Sequence, residues 1–200
     1  MSTVGDSIPA VLAQPPATIA PAPRHGRPRR GWVRPVQVSG VFLGWLAAVV
    51  AGAMIAPVPA ARPWALFGHL VFLAISFGAV LAVELHGLAA LLRITTLGRV
   101  ASVATSLDPL IWGGLIGLAA TGAVLAPDLA RPLTVVKLIA VLAVAINGLW
   151  ARELAHALRA VPPTARGIPR HLLARALRVS AVSQVGWWSA VAIGFLTTNG

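Results

Sequence analysis

The chain has 200 residues, 58% of them hydrophobic and only 10% charged, with a mean hydropathy of +0.83; soluble domains carry about 25% charged residues, so this is a membrane protein. The formal net charge is +11, but no folded soluble module remains to present the arginines to nucleic acid, and the charge is read as setting topology and meeting anionic lipid. Cysteine is absent, which excludes disulfides, thiolate metal sites and cysteine nucleophiles, and with only two methionines, Met1 and Met54, a soft copper path is excluded too.

Residues 1–34 begin Pro- and Ala-rich with no periodic apolar face, the composition of a disordered tail. Basic residues follow its weakly apolar part instead of preceding it, so it is not a secretory signal. Arg24, Arg27, Arg29, Arg30 and Arg34 form a juxtamembrane cluster that anchors to acidic lipids and stays cytoplasmic. Trp32 suits the interface.

Span one is predicted over residues 36–56. Gly40, Gly44, Ala48, Gly52 and Ala56 recur at every fourth position, a stripe that lets another helix approach closely. It marks a packing face, either within the bundle or towards a second copy or a membrane partner.

Span two is predicted over 64–92. From Pro63 to Val83 it holds no Asp, Glu, Lys or Arg, which is long enough to cross a bilayer. Yet the span carries His69, Glu84 and His86, groups that usually face a protein interior or a cavity. Span three is predicted over 108–126, opened by Asp108 as N-cap and Pro109 at the first helical position. Its small stripe is Gly113, Gly117 and Thr121. Residues 100–107 are either a short interfacial helix or the same helix before a proline kink.

A tight hairpin, residues 127–132, leads to span four, predicted over 133–151 and continuing into R-E-L-A-H-A-L-R-A. It holds the only lysine, Lys137, and a mid-span Asn147. After a basic loop, H-L-L-A-R-A-L-R reads as a helix lying on the inner surface. Span five is predicted over 179–197, with Trp187 and Trp188 inside it.

Arginines concentrate in the N-terminal arm, the Arg93–Arg99 turn and the Arg152–Arg178 segment, while the other two loops hold only Arg62 and Arg131, with Lys137 nearby. The positive-inside rule then sets the N-terminus inside and the C-terminus outside. The expected architecture is an all-α integral membrane protein, a five-helix bundle with a disordered tail, multi-pass in a bacterial cytoplasmic membrane. The bacterial assignment follows from the bias to Ala, Arg, Gly and Pro.

This topology sorts the polar residues into two layers. His69 and Lys137 lie near the outer ends of their spans. Glu84, His86, Asp108, Asn147, Glu153 and His156 lie towards the inner side. At about 100° and 1.5 Å per residue, Glu84 is ~22 Å below His69 and only ~60° around the helix, so the two cannot share one site but can be stations on one wall. Each residue has two readings. Lys137 is an outward-snorkelling side chain or an intramembrane cation facing His69. His69 is an interfacial histidine or a haem or metal ligand. Glu84 must be protonated, paired or hydrated. Glu153 and His156 read as solvated. No Ser, His and Asp set falls in one layer, which excludes a soluble-style hydrolase.

An ordered set of motifs adds to this. Span two has His69, eight residues, then Gly78; span three ends A-A-T-G at Ala119–Gly122; span four opens V-V-K-L-I-A-V-L-A-V around Lys137. Over residues 64–197 the set resembles the four-helix core of copper-resistance D-like (CopD-like) membrane proteins, a group related in pattern to the membrane-bound protoporphyrinogen oxidases of haem synthesis. The resemblance implies a haem b cofactor, with His69 and Lys137 as the residues that matter for binding it. Three functions follow as expectations: a haem-associated membrane redox protein; a proton- or cation-coupled permease titrating at Glu84, with Asp108 and Asn147 lining its path; and an accessory subunit docking through the span-one stripe.

Overall fold

Five helices, each long and apolar enough to cross a membrane, make up the described chain: α1 Arg30–Met54, α2 Arg62–Leu91, α3 Leu97–Val124, α4 Pro132–Arg159 and α5 Arg170–Asn199. The computed structural model describes residues 30–54, 56, 58–162 and 168–199, with side chains from 34 to 197 within those ranges. The proline-rich tail, its Arg24, Arg27 and Arg29, the side chains of Arg30 and Trp32, and Arg166 lie outside the described residues.

The helix starts follow proline chemistry. Pro63 sits in the first turn of α2 and Pro132 opens α4, where a missing N–H costs nothing. The stops of α2 and α3 are left-handed caps. Arg93 has φ of 60°; its N–H donates to the Ala90 carbonyl at 3.1 Å, and the N–H of Ile94 to that of Ala89 at 2.8 Å. This double closure is the usual left-handed end of a helix, here made without glycine. Ala126, φ 50°, ends α3 with a single such bond, its N–H donating to the Ala123 carbonyl at 3.0 Å, and Pro127 prevents continuation.

Two boundaries differ from expectation. Asp108 is not an N-cap: it lies inside α3, which begins at Leu97 and carries Pro109 in its interior. The cap is Thr96, extended at φ −98° and ψ 154°, whose hydroxyl accepts from the Arg99 N–H at 3.3 Å. Residues 100–107 are therefore the same helix, and the interior proline is tolerated because neighbouring helices support the chain. Likewise H-L-L-A-R-A-L-R is not a separate surface helix. It is the first part of α5, which runs unbroken from Arg170 because nothing between Pro169 and the apolar span interrupts a helix.

Helices α2 to α5 form the bundle. α3 packs on both α2 and α4, and α4 on α5. The ring closes where Phe77 of α2 stacks on Trp187 of α5, with centroids 5.3 Å apart, and meets Trp188 edge-on. Small residues permit the closest approaches. A Cβ on Gly114 would sit 2.5 Å from that of Ser76 and 3.0 Å from the Phe72 carbonyl. The face α3 turns to α2 is thus Gly114, Gly117 and Thr121; Gly113, expected in the stripe, faces open space.

α1 lies outside this ring. Its ends are attached: Arg34 pairs with Glu153 of α4, and Gly52 packs against Ala123 and Pro127. Only part of the predicted stripe is therefore used inside the chain, since Gly40 and Gly44 have nothing within 4 Å of a Cβ. Across the bundle, Val36, Phe67, Ile116, Val185 and Phe195 are each more than 60% exposed, an apolar surface that water does not tolerate and lipid does.

Because the helices alternate, the arginine-rich segments meet at one end. There Val100 and Ala101 of α3, Leu154 and Leu158 of α4 and Leu172 of α5 form a core. A second core of Leu115, Leu118, Val144 and Trp187 fills the middle.

Candidate functional site

At the end opposite the arginines, His69 projects from α2 against α3. Its Nδ1 lies 3.0 Å from the Thr121 Oγ1. The threonine hydroxyl donates to the carbonyl of Gly117 at 2.6 Å, so its proton is committed and it accepts from the histidine. Nδ1 therefore carries the hydrogen, and Nε2 keeps its lone pair. Gly122 passes beside the ring, where a Cβ would lie 3.5 Å from Cε1. From α4, Lys137 is the charged group that acts on His69. His69 and the A-A-T-G run, separate in sequence, thus meet, and Lys137 lies within electrostatic reach of the histidine.

The second polar site is deeper and faces α5. Gln184 donates its Nε2 to the Glu84 carboxylate, and Ser180 one turn earlier faces the same carboxylate. The Gln184 Oε1 accepts from the Trp188 indole at 2.8 Å. No cation pairs with Glu84 among the described residues. Sequence reasoning had no partner for this carboxylate. The signal was present: Ser180, Ser183 and Gln184 recur at helical spacing on one face of an otherwise apolar segment.

The other residues expected in this layer do not join it. Asp108 accepts from Arg152, at 2.7 Å from Nε and 2.5 Å from Nη2, and the guanidinium also lies 4.7 Å from the Trp112 ring centre. Asn147, 3% exposed, donates to the Val179 carbonyl at 2.8 Å and ties α4 to α5. His86 turns to the carbonyl of Ala82, 2.7 Å from its Nδ1. Glu153, read as solvated, instead pairs with Arg34 and reaches Arg175 at 3.7 Å. His156 is exposed.

The chain matches no family model, no curated protein and no solved structure.

Function therefore rests on the chemistry of the sites. No cluster of three or more His, Asp or Glu side chains converges on a metal ion among the described residues. The His69 site has one imidazole nitrogen with its other nitrogen fixed by a hydrogen bond, which is how proteins prepare a histidine ligand, and a nearby ammonium. One imidazole nitrogen is too few ligands to hold a bare metal ion.

Proposed function

We propose that this five-helix membrane protein is a haem-associated redox protein, in which His69, through Nε2, and Lys137 would hold the haem. The His69–Thr121 pair, with Lys137 within electrostatic reach of the histidine, supports this reading, and so does the CopD-like order of the motifs that carry them. Haem bound there supplies one-electron chemistry. The chain's own part is specific. Thr121 would hold the imidazole in the tautomer that leaves Nε2 unprotonated, the bare Gly122 backbone passes close beside the ring, and Lys137 would supply positive charge. The arginine-rich end is proposed to face the cytoplasm of a bacterial cell, which sets the His69 site towards the opposite surface.

The test is an absorption spectrum from 350 to 700 nm of protein purified from haem-replete cells. A Soret band that disappears in His69→Ala supports the proposal. A colourless preparation overturns it.

A second reading, a proton- or cation-coupled permease, draws on Glu84, a carboxylate held by Gln184 and Ser180 with no cation paired to it among the described residues. Asp108 and Asn147 are engaged elsewhere, so the path would run along α2 and α5 alone. Unchanged flux through Glu84→Gln in proteoliposomes removes it.

A further inference from the structure

A cleft of about 290 Å³ opens between α2 and α3 at the arginine-rich end, lined by Ala82, His86, Arg99, Ser102, Val103, Ser106 and Leu107. Ala82 and His86 flank Glu84 in sequence but lie on the opposite face of α2, so the cleft is separate from the Glu84–Gln184 contact. Arg99, Ser102, Val103 and Ser106 follow the i, i+3, i+4, i+7 pattern of one helix face. The neighbouring Val100 and Ala101 are buried in the core with α4 and α5, so the cleft face is turned away from the bundle interior, towards lipid.

Its polar groups are uncommitted. No carboxylate pairs with Arg99 among the described residues, and of the arginines without such a partner it is the one that lines the cleft. The hydroxyls of Ser102 and Ser106 likewise make no hydrogen bond there, in contrast to Thr105 between them, which donates to Ala101 at 2.8 Å. His86 has Nδ1 engaged with Ala82, leaving Nε2 as its available nitrogen.

Polarity is graded along the cleft. Arg99 lies in the first turn of α3, at the depth of lipid head groups. Ser106 is about 10 Å further in, next to the apolar Leu107. A cation above, hydroxyls below and apolar side chains beside them match a phosphate ester, then glycerol ester carbonyls, then an acyl chain. The volume is just under the ~300 Å³ at which pockets for drug-sized ligands begin, which suits one head group better than a large cofactor.

We propose that this cleft is a specific site for the phosphate head group of an anionic phospholipid, with Arg99 meeting the phosphate and Ser102 and Ser106 the ester oxygens. It differs from general attraction of basic loops to acidic membranes because it assigns binding to one arginine among several at that end.

The full chain is titrated in detergent with phosphatidylglycerol or phosphatidylcholine and followed by native mass spectrometry. One phosphatidylglycerol adduct should form well before any phosphatidylcholine adduct. Arg99→Gln should weaken it about tenfold, the loss of one charge-assisted contact, and Ser102→Ala with Ser106→Ala should weaken it further. Arg93→Gln, in the same connection but outside the cleft, should leave it unchanged. Neither side chain supports the fold: Arg93 and Arg99 contribute to the ends of α2 and α3 through their backbone N–H groups alone. Equal loss in Arg93→Gln and Arg99→Gln, or equal binding of the two lipids, overturns the proposal. Glycerol phosphate is the competing arm. Displacement only at concentrations far above that of the lipid supports a lipid site; displacement at equal concentration overturns that source and assigns the cleft to a soluble phosphate ester.

Discussion

The hydroxyl of Thr121 accepts from His69 Nδ1 at 3.0 Å while donating to the Gly117 carbonyl at 2.6 Å. One threonine thus selects the histidine tautomer across the α2–α3 contact. Thr121→Val keeps the shape and removes the acceptor. On the proposed haem reading it should lower haem retention about 10- to 100-fold, the usual effect of losing a ligand's outer partner, whereas Thr121→Ser should retain it. Haem titration of each variant, read at the Soret band, measures the difference.

Asp108 and Arg152 form a two-point pair with side chains 27% and 43% exposed. Solvent screens such a pair, so its coupling should be ~1 kcal/mol. A double-mutant cycle of Asp108→Asn and Arg152→Gln, followed by thermal unfolding in detergent, measures that value. An Asp108 acting as a helix cap would give additive effects instead.

The α2–α3 contact depends on missing side chains. Gly114→Ala sets a methyl 2.5 Å from the Ser76 Cβ and 3.0 Å from backbone, and neither can yield without parting the helices. The cost should be about 1–3 kcal/mol or more. Gly113→Ala, one residue away and facing open space, should be neutral or stabilising by up to ~1 kcal/mol. Paired melting curves distinguish the two positions.

Trp187 is 2% exposed, and its indole N–H is buried with no partner. Such a group costs about 1–3 kcal/mol, while the ring stacked on Phe77 stabilises the centre of the bundle. Trp187→Phe should therefore change stability little, because the lost area and the removed orphan oppose each other. Trp187→Ala should cost ~3–5 kcal/mol. Chemical unfolding in mixed micelles compares them.

Much of the architecture is decided by sequence alone, because a bilayer leaves the backbone few choices. Where water is absent every N–H and C=O must be satisfied within a segment, so five apolar runs become five helices whatever packs beside them. The boundaries are less determined. Asp108-Pro109 carries the local signature of a helix start, yet Thr96 caps α3 earlier, since the residues between them have no reason to leave the helix. The partners of the polar groups are decided only in three dimensions. Glu84 finds Gln184 a hundred residues away, Asp108 finds Arg152, and Asn147 closes on Val179. The physical reason is angular. Spacing along a helix tells which residues share a face, but which neighbour that face meets depends on how the helices pack, and here glycines 114, 117 and 186 control the close approaches.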